Sequence, residues 1–234
     1  MKRLGLLGGM SWESTQLYYQ LINRMVADAL GGHHSADLLL ASIDFAPVAE
    51  WQHAGEWDRI ADHLNARALE LAAAGAEALV ICTNTIHLVA DRIGAGTGLP
   101  VIHVVDCVGT SIIDAGYRRV GLLGTRFTME SPTLYPERLA DMGVSVVTPD
   151  EPGRADVHQV IYEELCHGRI RTESRIRYLE TVSALADRGA EAVILGCTEI
   201  GLLLDESVEA PIPFLDSTRI HARAAVDFAL GEQS

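Results

Sequence analysis

The second half of the sequence repeats the first half. Three segments recur in the same order: a strand start (Arg-Leu-Gly-Leu-Leu-Gly, then Arg-Val-Gly-Leu-Leu-Gly), a Gly-Ala-Glu-Ala segment, and a Pro before a β-branched residue with an Asp further on. The matched segments are 3–8 with 119–124, 75–78 with 189–192, and 100–101 with 211–212, at offsets of 116, 114 and about 111. Strand–turn–helix units can look alike by convergence, but the order holds along the whole chain. The repeat therefore predicts a duplicated α/β unit.

Short apolar runs alternate with longer helical patterns, as is typical of parallel sheets with helices on both faces. The predicted strands are 3–8, 37–43, 78–82, 101–104, 119–123, 144–147, 192–196 and 212–215. The predicted helices are 12–29, 56–74, 84–93, 106–115, 132–142, 155–167, 172–188, 198–204 and 217–230, with caps at Ser11, Ser131 and Asp216. The sequence thus predicts an α/β fold of two similar lobes, each a parallel four-stranded sheet flanked by helices.

The last predicted helix, 217–230, is expected to pack back on the first lobe. The expected domains are therefore 1–105 plus 215–234 for the first α/β lobe and 106–214 for the second. The duplication predicts a pseudo-two-fold relation between them. Because ligands in parallel sheets bind beyond the carboxyl ends of the strands, the active site is expected between the lobes.

Charge and composition exclude several classes of function. The net charge of −14 and the pI near 5.0 disfavour nucleic-acid binding. No apolar run approaches the roughly 20 residues of a membrane span, and the chain opens directly with a strand, so a cytoplasmic protein is expected. The four cysteines are widely spaced, which predicts free thiols and no metal site; they are Cys82, Cys107, Cys166 and Cys197.

The single lysine of the chain is Lys2, at the start of the first strand. Pyridoxal phosphate needs a lysine for its Schiff base, and sites of α/β folds form at the other ends of strands. No cofactor of this kind is therefore expected.

The repeat also aligns two chemically active residues. Eight residues after the first glycine of each Gly-Ala-Glu-Ala segment stand Thr83 and Cys197, whereas Cys82 aligns with Gly196. Each follows a buried strand and opens a predicted helix. A helix N-terminus lowers the pKa of a thiol, so Cys197 is expected to be a base near neutral pH. The alternative is that Cys197 is a small buried apolar residue.

Three segments resemble the aspartate/glutamate racemase superfamily, most closely its broad-specificity amino-acid racemase branch. They are Gly-Leu-Leu-Gly-Gly-Met at 5–10, Thr-Asn-Thr-Ile-His at 83–87 and Gly-Cys-Thr-Glu at 196–199. The resemblance covers essentially the whole chain. It implies a cofactor-independent isomerase, a small amino-acid substrate and a homodimer. It also implies that a cysteine of one lobe removes the α-proton and a cysteine of the other returns a proton to the opposite face.

The sequence departs from this pattern at the first cysteine. The family has a cysteine directly before Asn-Thr-x-His, where this chain has Thr83, with Cys82 one place earlier. Neighbouring strand residues point to opposite faces, so Cys82 is expected to point away from the substrate. A local bulge that delivers Cys82 is the alternative, and Cys82 is the reserve catalytic residue. With Thr83 and Cys197 as the pair, the reaction is expected to be lopsided, because a hydroxyl is a far poorer base than a thiolate.

The predicted substrate-binding residues are Met10, Gln52, Thr83, Asn84, Thr85, His167, Gly168 and Thr198. The resemblance implies that Asn84 and Thr85 hold the α-carboxylate and amino groups, and backbone N–H groups at 84–85 and 198–199 can stabilise a developing enolate. Aspartate-specific members add an arginine and a lysine, which 51–53 and 166–169 do not provide as a pair. Strict aspartate specificity is therefore not expected. His87, one turn after Thr83, is either a structural residue or a hydrogen-bonding partner near the site.

Three other functions remain open. A decarboxylase or cis-trans isomerase on the same scaffold would use Cys197 alone. A nucleotide-binding module would use the glycines at 5–9 with Asp44, although their spacing is not that of the dinucleotide fingerprint. A non-catalytic amino-acid-binding protein is the third.

Overall fold

The computed structural model describes residues 1–205 and 207–231. The chain divides into two compact units, Met1–His103 with His221–Ser234 (unit 1) and Val104–Ile220 (unit 2). Each unit contains one four-stranded parallel sheet flanked by helices. The predicted α/β class and the predicted sheets are therefore confirmed.

Unit 1 has the strand order β2-β1-β3-β4. Its strands are β1 (Leu4–Gly8), β2 (Leu38–Ser42), β3 (Ala78–Ile81) and β4 (Val101–Ile102). Its helices are α1 (Trp12–Leu30), α2 (Phe45–Ala54), α3 (Trp57–Ala73) and α4 (Ala90–Gly94), the last preceded by a 3₁₀ turn over Thr85–Val89. The central strands β1 and β3 are buried along their whole length, as expected for strands covered on both faces.

Unit 2 repeats this arrangement with the order β6-β5-β7-β8. Its strands are β5 (Arg119–Leu123), β6 (Ser145–Val147), β7 (Ala192–Leu195) and β8 (Phe214–Asp216). Its helices are α5 (Val104–Asp114), α6 (Arg126–Met129), α7 (Arg138–Ala140), α8 (Glu151–Glu163), α9 (Thr172–Asp187) and α10 (Ile200–Leu203). The last helix, α11 (Ser217–Leu230), begins in unit 2, and from His221 onward it belongs to unit 1.

Hydrogen bonds of the two sheets reproduce the sequence repeat. The N–H of Glu77 donates to the carbonyl of Arg3 at 2.8 Å, and the N–H of Glu191 donates to the carbonyl of Arg119 at 2.8 Å. The third match is wrong by two residues, because Pro213, not Pro211, takes the place of Pro100. The carbonyl of Pro213 accepts from the N–H of Val193, and the carbonyl of Pro100 accepts from the N–H of Leu79, each at 2.9 Å.

The predicted helices differ from the observed ones where the backbone is irregular. The segment 132–142 forms a π-helical turn (Thr133–Glu137) followed by α7, 155–167 becomes α8 and a 3₁₀ turn (Leu165–His167), and 198–204 shrinks to the four residues of α10. The patterns did not predict α2 or α6. In α2, Pro47 stands in the first turn, where the missing N–H costs no helical hydrogen bond.

In the part of the chain that the structure describes, no helix is both long and apolar enough to cross a membrane.

Candidate active site

The predicted site residues of unit 1 follow three neighbouring strands. Met10 comes after β1, Gln52 lies on α2 after β2, and Thr83 comes after β3. Because these strands are parallel and adjacent, their carboxyl ends lie at one edge of the sheet. Met10 and Gln52 are almost fully buried, Gln52 with 5% exposure, and Thr83 is partly exposed.

Cys82 and Thr83 have opposite environments. The Cys82 side chain is 0% exposed and lies in the core formed by β1, β3, α1 and α11. Burial raises the pKa of the Cys82 thiol far above its ordinary value. Thr83, in contrast, is partly exposed.

Thr83 and Cys197 occupy the same position in their units. At the end of β3, the N–H of Cys82 donates to the Leu7 carbonyl at 2.9 Å. At the end of β7, the N–H of Gly196 donates to the Leu123 carbonyl at 2.7 Å. The residue that follows each of these N–H groups is Thr83 in one unit and Cys197 in the other.

The turn after Thr83 is stabilised by a hydrogen bond from the His87 side chain to the Thr83 carbonyl. Asn84 and Thr85 are buried at its start, and the Nδ1 of His87 lies 2.8 Å from the Thr83 carbonyl. Since a carbonyl can only accept, Nδ1 carries the proton. The other ring nitrogen of His87 is buried and has no hydrogen-bond partner among the described residues. His87 therefore fixes the backbone at Thr83 and is itself held in the neutral form.

His87 belongs to a buried histidine cluster. Its ring packs edge-on against those of His103 and His221, with centroids 4.7 and 5.4 Å away. His221 donates from Nε2 to the Ile102 carbonyl at 2.7 Å and accepts at Nδ1 from the Tyr18 hydroxyl at 2.8 Å. Burial lowers the pKa of His87 well below its ordinary value and that of His221 to about 4.

In unit 2, the environment of Cys197 corrects the expected pKa. Its Sγ donates to Oε2 of Glu199 at 3.0 Å, and the Glu199 side chain is buried, with the residue 7% exposed. Burial first, and then the negative charge of Glu199, raise the pKa of the Cys197 thiol well above its ordinary value. The prediction of a lowered pKa was wrong because α10 begins three residues later, at Ile200, and has four residues, too few for a strong dipole at the sulfur.

Three further side chains lie near the Cys197 thiol. Tyr162 on α8, Cys166 on the 3₁₀ turn and Tyr178 on α9 are close enough to interact electrostatically with its thiol. Burial raises the pKa of Tyr162 to about 12 and that of Tyr178 well above its ordinary value, so both keep their protons at neutral pH.

The remaining predicted residues of unit 2 differ in accessibility. Thr198, next to Cys197, is buried. His167 and Gly168 are exposed in the turn after Cys166, where Gly168 has a left-handed backbone (φ 67°) that ends the 3₁₀ turn. Thr198 thus follows Cys197 in the buried part of the unit, whereas His167 and Gly168 form part of a surface turn.

The glycine-rich turn after β1 is shaped by internal packing. A Cβ on Gly8 would lie 2.4 Å from the Thr15 side chain, and one on Gly9 (φ 93°) would lie 2.3 Å from the Ile43 carbonyl. The N–H of Gly9, which a phosphate would need, donates to Oγ1 of Thr15 at 2.8 Å. This geometry argues against the nucleotide-binding alternative.

The single lysine and the thiols also bear on cofactors. Lys2 precedes β1, at the opposite end of the sheet from Thr83, and its ammonium lies 4.3 Å from the centroid of the Phe228 ring. No disulfide joins any of the four cysteines, all of which lie among the described residues. Among the described residues, no group of three or more His, Cys, Asp or Glu side chains is placed to hold a metal ion.

The chain also matches a known protein family. The model of the Asp/Glu/Hydantoin racemase family matches residues 7–225. The chain belongs to this family. All the predicted site residues lie within this range.

Several individual relatives are similar over the whole chain. A crystal structure from Yersinia pestis, of a protein provisionally assigned as an Asp/Glu racemase, is 47% identical and covers 98% of this chain and 100% of its own, with a TM-score of 0.92. An aspartate racemase homologue from Pyrococcus horikoshii is 30% identical over 98% and 100%, with a TM-score of 0.85. The broad specificity amino-acid racemase RacX of Bacillus subtilis is 24% identical over 99% and 100%.

The fold extends to more distant enzymes. Arylmalonate decarboxylase is 12% identical over 100% of this chain and 95% of its own, with a TM-score of 0.61. At this identity the likeness concerns the fold alone.

Sequence reasoning missed one residue at the site. Glu199 was considered only for its backbone N–H, yet its carboxylate contacts the Cys197 sulfur. Its position two residues after the cysteine was a signal, because a side chain so close in a tight turn can fold back on its neighbour.

Proposed function

We propose that this protein is a cofactor-independent amino-acid racemase in which Cys197 and Thr83 exchange the α-proton with opposite faces of the substrate. The observation that carries the proposal is the equivalent position of these two residues, each directly after the N–H that closes the end of a central strand. Membership of the racemase family supports the same reaction.

Inversion at an α-carbon needs a base on one face and an acid on the other. Cys197 takes the α-proton, the electron pair stays on the substrate as an enolate-like carbanion, and Thr83, or a water that it holds, supplies a proton on the opposite side. Asn84, Thr85 and Thr198 are buried polar residues beside these two groups in the sequence, and they are proposed to hold the substrate and its developing charge. Met10 and Gln52 line the substrate in unit 1, and His167 and Gly168 border it in unit 2.

The two proton-transfer groups are chemically unequal. A threonine hydroxyl is a far weaker base than a thiol that can ionise, so proton removal by Cys197 should be faster than removal by Thr83. Because two enantiomers have equal free energies, kcat/KM must be the same for both, so the inequality should appear as different kcat values, matched by different KM values, for the two directions.

The substrate is proposed to be a small amino acid, without strict preference for aspartate. RacX, similar along its whole length, is described as having broad specificity, which supports this range. The position of Lys2, opposite the reacting end of the sheet, supports a reaction without pyridoxal phosphate. The acidic net charge is unfavourable for nucleic-acid binding, and cysteines that form no disulfide suit a cytoplasmic location. The family resemblance supports a homodimer.

Proton NMR of both enantiomers of the common amino acids in deuterated water tests the proposal. Loss of the α-proton signal identifies a substrate, and the optical rotation of the product reports inversion. Cys197→Ala should abolish both. Thr83→Ala should keep exchange of the enantiomer that faces Cys197 but return it without inversion, whereas Thr83→Ser should still racemise.

Equal kcat values for the two enantiomers at saturating concentration, together with full racemisation by Thr83→Ala, would contradict the proposed pair. Release of carbon dioxide from an arylmalonate, without exchange in any amino acid, would instead favour the decarboxylase alternative. Amino-acid binding without exchange would favour a non-catalytic binding protein.

A further inference from the structure

The thiol of Cys197 is a poor base in isolation. Its pKa is raised well above the ordinary value, chiefly by burial and then by the charge of Glu199, so at neutral pH the sulfur carries its proton. A protonated thiol cannot accept the α-proton of a substrate unless it gives up its own proton at the same time. The proposed racemase therefore needs a second acceptor beside the sulfur.

Glu199 is placed to be that acceptor. Its Oε2 accepts the S–H of Cys197 at 3.0 Å, the distance of a direct hydrogen bond to sulfur. Burying a carboxylate is unfavourable unless it is hydrogen-bonded, so its presence here calls for a partner, and the thiol is one. The neighbouring Tyr162 and Tyr178 keep their protons at neutral pH and cannot serve as bases.

We propose that Cys197 and Glu199 form a proton-sharing pair, in which Glu199 takes the thiol proton as Cys197 takes the α-proton of the substrate. This inference rests on the proposed racemase function. It assigns to Glu199 a role in proton transfer that acts at the reacting sulfur and not at the substrate.

The step balances in protons and charge. Before it, the pair consists of an S–H and a carboxylate, and the substrate carries its α-proton. The C–H bond breaks, a new S–H bond forms, and the original S–H proton moves to Glu199, so the negative charge passes from the carboxylate to the substrate carbanion. After Thr83 or its water has supplied a proton to the opposite face, Glu199 releases its proton to solvent and Thr83 regains one.

The pair explains why a strongly raised thiol pKa is compatible with catalysis. A permanent thiolate would be penalised by the buried surroundings and by the Glu199 charge. A shared proton avoids this cost, because one negative charge is present on the pair before the reaction and none needs to be created there. The reverse reaction uses the same contact, with protonated Glu199 returning the proton to sulfur.

Glu199→Gln tests the pair, since the amide can accept the S–H hydrogen bond but cannot take the proton. The expected kcat at pH 7.5 falls on the order of 100-fold or more, the usual contribution of a positioned proton acceptor, while KM changes little. The wild-type rate should be level between pH 7 and pH 9. The variant's rate should instead rise about tenfold per pH unit, because it then depends on ionisation of the lone thiol. Glu180→Gln, which removes the same charge from the exposed surface of α9, is the matched control and should behave as wild type.

Alkylation of Cys197 by iodoacetamide, followed by peptide mass spectrometry, provides a readout independent of racemisation. In Glu199→Gln the rise of the alkylation rate of Cys197 with pH should move to lower pH, because loss of the carboxylate charge lowers the pKa of the thiol. This shift is expected even though catalysis is slower. Cys82, which is fully buried, should stay unmodified and so monitors folding in the same sample. If Cys82 becomes modified in Glu199→Gln, that variant is misfolded and Glu199→Asp is used instead. Its kcat should lie between those expected for the wild type and for Glu199→Gln, and its rate should stay level between pH 7 and pH 9.

Wild-type kcat in Glu199→Gln, or an unchanged alkylation profile of Cys197, would overturn the pair. Failure of the racemase assignment has a different signature: no amino acid would exchange its α-proton in the wild type, whereas the alkylation shift would remain.

Discussion

At the scale of single residues, the surroundings of each thiol decide its chemistry. Cys82 lies in the apolar core between the sheet and the helices, and Cys197 lies against a buried carboxylate. Both thiols have raised pKa values, but of the two only Cys197 lies beside a carboxylate, that of Glu199, which can accept its proton. The reserve role considered for Cys82 is therefore not part of the proposed mechanism.

Cys82→Ala should leave racemisation unchanged while lowering stability. The substitution removes one buried sulfur atom from the core, and we expect a loss of about 1 kcal/mol in the free energy of unfolding. Urea denaturation and the α-proton exchange assay, run on the same preparation, check both statements. A large loss of kcat in a variant that unfolds like the wild type would return Cys82 to the site.

At the scale of elements, one of the two helices that the sequence patterns did not predict carries a residue proposed to contact the substrate. The α2 helix holds Gln52, and its start is capped by Asp44, whose carboxylate accepts from the N–H of Ala46 at 3.2 Å. The same helix ends at Gly55 with a left-handed backbone (φ 73°). These local signals define α2 without a strong amphipathic pattern.

Asp44→Ala should lower the free energy of unfolding by about 1 kcal/mol, the usual cost of losing a side-chain N-cap. Asp44→Asn keeps an accepting oxygen and should stay within a few tenths of the wild-type value. Chemical denaturation of the two variants side by side measures the difference. Equal destabilisation by alanine and asparagine would show that the charge of Asp44, and not its capping oxygen, matters.

At the scale of the whole molecule, folding depends on neutral histidines in the interior of unit 1. The folded-state pKa of His221 is lowered from 6.5 to about 4, and that of His87 is also lowered, both chiefly by burial. In the unfolded chain these groups take up protons near pH 6.5. The unfolded state therefore binds more protons as the pH falls, and the stability that is present above pH 6.5 is lost towards pH 4.

Between pH 6.5 and pH 5 protonation linked to His221 should remove about 2 kcal/mol of stability, and His87 should add to this loss. Urea titrations at pH 7.5, 6.5, 5.5 and 5 measure the slope, and His221→Gln should make it shallower. His34→Gln, at an exposed position, is the control that should keep the wild-type slope. A wild-type stability that does not change over this range would contradict the neutral cluster.

The candidate site residues could be proposed from the sequence because their positions follow from local order along the chain. The repeat gave Thr83 and Cys197 equivalent positions in their units, since both positions depend on counting residues after a strand. The same method was off by two residues at Pro211, because a match of two residues is too short to define a register. It is the pairing of Val193 with Phe214 in the sheet that identifies Pro213.

The amino-acid sequence by itself determined the two α/β units and the residues at the ends of β3 and β7. It could do so because apolar periodicity and repeats are properties of neighbours in the chain. Only the tertiary structure decided the protonation of Cys197, since that depends on burial by other elements and on the direction in which the Glu199 side chain turns. It also decided that His87 is neutral and holds the Thr83 carbonyl, because His103 and His221, which surround it, are distant in sequence.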